Sequence, residues 1–152
     1  MSQHDWQEKT RQAQAALSPL RFMLGTWRGT GHSHGVAITA VLTVRDRLSG
    51  TFVEAHEQLS SEDGSQDHED LSFYRYDDSE GHIRVRQMMA PALLSERLVI
   101  VLPGDGGIRW YEGPLGVQVF FTPKGDGVIT QRVLLPMQSE PAVTLRYERT
   151  AP

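Results

Sequence analysis

A chain of 152 residues has room for one sizeable core and too little for two. Its 19 acidic residues outnumber 15 lysines and arginines, for a formal charge of -4, and no basic cluster offers a footprint for nucleic acid. Cysteine is absent, which excludes disulfides, thiolate catalysis and cysteine-held zinc or iron-sulfur centres.

The opening MSQHDWQEK is polar where a secretory signal needs a basic start and an apolar run. No segment is apolar for long enough to cross a bilayer, so a cytoplasmic protein without membrane insertion is expected. Residues 5–16 favour a helix, with Asp5 as N-cap and Glu8 as its capping-box partner. Pro19 should end that helix and lead into a short turn over residues 20–24. The helix has few apolar residues, so it belongs on the surface or over one end of the fold.

From Thr26 onward the hydrophobic period is two rather than 3.6. Val36, Ile38, Ala40, Leu42 and Val44 share one face of an extended segment, which turns through residues 46–50 into a strand over 51–59. The polar stretch 60–66 reads as the longest loop. Strands follow at 70–76, 82–89, 96–102, 108–112, 117–122, 128–135 and 142–149, separated by Gly-, Pro- and Asp-rich turns and interrupted at Pro91. About ten strands joined mostly by hairpins predict an all-β, antiparallel up-and-down barrel with a short N-terminal helix. A β-sandwich is the alternative. Residues 1–24 form the helix and lead, and residues 25–152 the barrel, together one domain.

Two stretches resemble a known family. Residues 19–31 (PLRFMLGTWRGTG) look like the N-terminal signature of the nitrobindin group among the calycin-like, lipocalin-like and fatty-acid-binding-protein-like barrels. Residues 68–75 (HEDLSFYR) are similar to that group's His-x-Glu-x-Gly-aromatic-aromatic-Arg stretch, with Asp70 in place of glutamate and Ser72 in place of glycine. The resemblance implies a ten-stranded barrel with an internal pocket, and is compatible with a homodimer. It also implies ferric haem held by a histidine just before the last strand. Residues 136–149 contain no histidine, so a haem would need another ligand: His68 first, then His56 and His82.

Other residues carry weaker signals. Trp27 is large enough to plug one end of a barrel, with Gly25 and Gly29 permitting close backbone approach. His32 and His34 share a side at strand spacing, which suits a metal only if a third ligand joins them. His56 shares a face with Glu54 and Gln58, opposite Val53, Ala55, Glu57 and Leu59. His82, Arg84 and Arg86 oppose Ile83, Val85 and Gln87, and the apolar residues are cheaper to bury. Tyr74, Trp110 and Tyr147 are candidate ligand-lining aromatics, and Arg132 is expected to approach Tyr147 across the barrel. Glu57 and Asp70 are among several carboxylates whose geometry does not resolve into an acid and a base.

No nucleophile elbow, phosphate loop or His-Glu-x-x-His segment is present. The expected function is therefore noncatalytic binding of a small hydrophobic or amphipathic ligand inside the barrel, with catalysis left open. A haem-binding protein and a packed structural barrel are the alternatives.

Overall fold

A computed structural model of the chain, which describes residues 1–90 and 95–150, shows a closed barrel of ten antiparallel strands. In chain order these are β1 Gly25–Ser33, β2 Val36–Arg47, β3 Phe52–Ser61, β4 His68–Asp77 and β5 His82–Ala90. They continue as β6 Ser95–Gly104, β7 Gly107–Tyr111, β8 Gln118–Pro123, β9 Val128–Leu134 and β10 Val143–Arg149. Each strand pairs with its chain neighbours, and β1 pairs with β10 to close the ring. The interruption expected at Pro91 lies outside the described residues.

The two-residue period explains the wall. On β2, Ile38, Ala40, Leu42 and Val44 are buried in the interior, while Ala37 and Thr39 are exposed. The same alternation sends Val53, Ala55, Glu57 and Leu59 inward from β3, and Ile83, Val85 and Gln87 inward from β5. The hairpin between β1 and β2 has only His34 and Gly35 at its tip, both with positive φ (48° and 79°), as a tight two-residue reversal requires.

Closure depends on two glycines. A Cβ on Gly31 would stand 1.8 Å from the Thr144 carbonyl oxygen, so β1 could not approach β10 with a side chain there. A Cβ on Gly29 would stand 2.7 Å from the ring of Tyr147, which occupies the space the glycine leaves.

One end of the barrel is plugged. A 3₁₀ turn, Ser18–Met23, buries Leu20 and Met23, and the Trp27 indole donates from Nε1 to the Met23 carbonyl at 2.7 Å. Arg149 lies 4.2 Å over the Trp27 ring and donates to the carbonyls of Leu24 and Phe22, tying the last strand to the lead. Gly25 enters β1 at φ 125°, in the region glycine favours, with the Arg149 guanidinium where a Cβ would project.

Helix α1, Gln3–Ala16, buries no residue. It rests on the outside at the plugged end, where Gln14 Nε2 donates to the Ser49 carbonyl at 2.6 Å and Lys9 pairs with Asp78 at 3.6 Å. Its N-cap is Ser2, and Asp5 is the third helical residue rather than the cap. The Ser2 hydroxyl accepts from the Asp5 amide while the Asp5 carboxylate accepts from the Ser2 amide, so the capping box forms one turn earlier than the Asp5-Glu8 pairing. No helix among the described residues is long and apolar enough to cross a membrane.

Candidate functional site

Opposite the plug, the barrel interior contains a cavity of about 440 Å³. Its mouth is framed by the β1–β2 turn at Ser33 and His34, the β3–β4 loop at Ser65, Gln66 and Asp67, and the approach to β10 at Ala142 and Val143. The β3–β4 loop is folded on itself: Asp63 accepts from the Ser61 hydroxyl and from the amide and hydroxyl of Ser65. It is tied across the mouth by the Ser33 hydroxyl, which donates to Gln66 Oε1 at 2.8 Å.

The interior walls differ in chemistry. From β7 and β8, Trp110 and Phe121 present rings whose centroids are 6.4 Å apart, and Tyr74 meets Trp110 edge-on at 6.1 Å. Trp110 Nε1 donates to the Tyr74 hydroxyl at 3.1 Å, satisfying the indole N–H within the wall. Val119 and Leu42 extend the apolar lining.

The other wall is polar although buried. Glu57 on β3 and Asp70 on β4 are directly opposite in register, and both project inward. Directly opposed side chains on paired strands lie about 5 Å apart at Cβ, so two ionised carboxylates here repel. Glu57 is compensated from across the barrel: Tyr147 donates its hydroxyl to Oε2 at 2.7 Å, and Gln131 Nε2 reaches Oε1 at 3.4 Å. Asp70 takes its partners from β4, with His68 Nε2 at 3.2 Å and the Ser72 hydroxyl at 3.5 Å.

This packing sets the protonation states. Burial first, and Asp70 second, push the Glu57 carboxyl up to about 8, against the lowering effect of Tyr147 and Gln131. Glu57 is therefore a neutral acid at pH 7. The hydrogen bond to Asp70 raises His68 above 6.5, partly opposed by its own burial. The Tyr74 and Tyr147 hydroxyls are both raised by burial and remain protonated.

Of the three candidate haem ligands, only His68 reaches the cavity, at its mouth. His56 is on the outer face, where Nε2 meets Glu69 Oε1 at 2.6 Å, because its neighbours Ala55 and Glu57 take the inward positions. His82 is likewise outward, next to buried Ile83 and opposite Asp77 in register. His68 meets Asp70 through Nε2 at 3.2 Å, and the cavity it borders is lined by Trp110, Tyr74 and Phe121 as well as by Glu57 and Asp70. Among the described residues no group of three histidine, aspartate or glutamate side chains is placed to hold a metal, and His32 is exposed on the outer wall.

Tyr74 and Trp110 line the cavity, and Tyr147 stands beneath it. Arg132 does not approach Tyr147. It is exposed on the outside of β9, 4.8 Å over the Phe120 ring, and the residue that meets Tyr147 is its neighbour Gln131. Thr144 of β10 is the register partner of Arg132, whereas Gln131 pairs with Leu145 on the inner face.

The polar residues lining the cavity that sequence reasoning did not single out as site residues are thus Glu57, Asp70, Gln131 and Gln87. Each occupies an inward place in a strand's alternation, and that was the available signal. No family model matches the chain, and no curated protein is significantly similar to it.

Proposed function

We propose that this chain is a noncatalytic carrier or sensor that binds a small hydrophobic or amphipathic ligand inside its barrel, in the manner of the calycin-like proteins. The observation that carries this reading is the cavity of about 440 Å³, open at one end and lined by apolar rings with a few converging polar groups. Such a lining is the usual composition of small-molecule sites, where apolar burial supplies affinity and polar groups fix orientation. Plugging one end by Trp27, Leu20 and Met23 leaves, among the described residues, the opposite end for entry, past His34 and Gln66.

The closed ten-stranded barrel and its helical lead favour kinship with the nitrobindin and fatty-acid-binding-protein-like barrels. Kinship in scaffold does not carry the haem chemistry with it, given that residues 136–149 contain no histidine and that His68 meets Asp70 through Nε2. Titration with ferric haem is expected to give no saturable Soret shift.

Titration with the neutral dye Nile red tests the ligand-binding reading. One dye per chain is expected to bind, with quenching of tryptophan fluorescence. Ala55→Phe, which places a ring into the cavity, should abolish that binding while leaving the thermal transition cooperative. Absence of saturable dye binding to the unaltered chain, with no small molecule retained in native mass spectrometry, would reject the reading.

A further inference from the structure

Taking the cavity as a ligand site, we infer that its occupant is a planar aromatic molecule with a hydrogen-bond-donating edge, a phenolic hydroxyl or an aromatic amine, rather than a straight-chain amphiphile. This rests on the function proposed above and adds the ligand's class.

Three features of the interior point the same way. The first is that polar and apolar surfaces are arranged side by side around the barrel, not end to end along it. Glu57 and Asp70 come from β3 and β4, while Trp110 and Phe121 come from β7 and β8. An alkyl chain with a terminal head group needs a continuous apolar tunnel. Here its methylenes would lie along two carboxyl groups and exclude water from them, at the cost of desolvating buried polar atoms. A flat molecule divides the same space differently, placing a face on the rings and an edge on the carboxyls.

The second feature is the use of the indole N–H. Because Trp110 spends it on Tyr74, the aromatic wall offers ring surface to the cavity, where another ring is received offset or edge-on.

The third is a weakly occupied acceptor on the polar wall. Glu57 holds its own proton and takes the Tyr147 hydroxyl on Oε2 at 2.7 Å, whereas Asp70 Oδ1 meets, among the described residues, only the Ser72 hydroxyl at 3.5 Å. That distance is at the outer limit for a hydrogen bond, so a ligand donor beside Asp70 replaces a weak contact with a short one.

The full chain distinguishes these ligands by calorimetric titration with 2-naphthol, naphthalene, 1-decanol and decanoate. 2-Naphthol is expected to bind about tenfold or more tightly than naphthalene, the worth of one hydrogen bond to a charged group, and more tightly than either ten-carbon chain. In Asp70→Asn the preference for naphthol over naphthalene should collapse to within about twofold. Asp70→Ser gives the same comparison if Asp70→Asn does not fold. Tighter binding of decanol or decanoate, equal binding of the two ring compounds, or a preference that survives both substitutions would overturn the inference. Nile red binding without binding of any of the four would overturn it while sparing the cavity reading; failure of Nile red as well would remove both.

Discussion

Tyr147→Phe removes a hydroxyl 2.7 Å from a fully buried carboxyl and leaves Glu57 Oε2 without its donor. Urea unfolding should show a loss of about 1–3 kcal/mol, the cost of an unsatisfied buried acceptor, whereas a tyrosine that merely filled space would lose much less. Gly31→Ala tests closure instead. Its methyl would meet the Thr144 carbonyl at 1.8 Å, and backbone on both sides leaves nothing to yield cheaply, so a loss of about 3 kcal/mol or more is expected in the same measurement. These residues also show how far the sequence could be read. The alternation that buries Val53, Ala55 and Leu59 also buries Glu57, so its facing was legible. Its partners were not: Tyr147 and Gln131 are 90 and 74 residues away, and only ring closure and register decide that Gln131 rather than Arg132 meets them. A shift of one position exchanges inside for outside, and Arg132, one position from buried Gln131, lies on the outer face.

The hairpins could be identified from turn chemistry because each reversal needs backbone angles that few residues adopt, as at Gly50, Gly64, Gly81 and Gly106. The cap of α1 was less legible: Ser2 and Asp5 each have a carboxylate three residues further on, and local pattern does not choose between overlapping boxes. The lead divides into two parts of unequal weight. Helix α1 buries nothing and is attached by exposed contacts of the kind that contribute about 1 kcal/mol or less, so a chain lacking residues 1–16 should melt within a few degrees of the full chain. The following 3₁₀ turn fills the end of the core. Leu20→Ala should cost about 2–5 kcal/mol in denaturant unfolding, as for other fully buried leucines.

For the whole molecule, the buried acid makes stability depend on pH in a direction opposite to ordinary acid denaturation. Below about 4.5 Glu57 is protonated in both the folded and the unfolded chain. From there to about 8 the unfolded chain has released the proton that the folded chain retains, so stability falls as pH rises, and above about 8 this effect levels off at its unfavourable limit. His68, raised by Asp70, adds a loss of the same sign as pH rises above 6.5. The surface carboxylates of Asp5, Asp63 and Asp77, lowered chiefly by serine hydroxyls, favour folding above 3.8 and lose that effect only in stronger acid. The melting temperature should therefore decline between about pH 5 and 8, and Glu57→Gln should flatten that decline; a flat profile in the unaltered chain would contradict the assignment of a neutral Glu57.

The plug has one further consequence. Gly25 begins the first strand and Arg149 ends the last beside the same Trp27, so the polypeptide enters and leaves the wall at the blind end. A support or dye coupled at Ser18 or Thr150 would sit at the plugged end, away from the mouth framed by His34 and Gln66. The barrel could thus be tethered to a sensor surface with its mouth turned toward the solution.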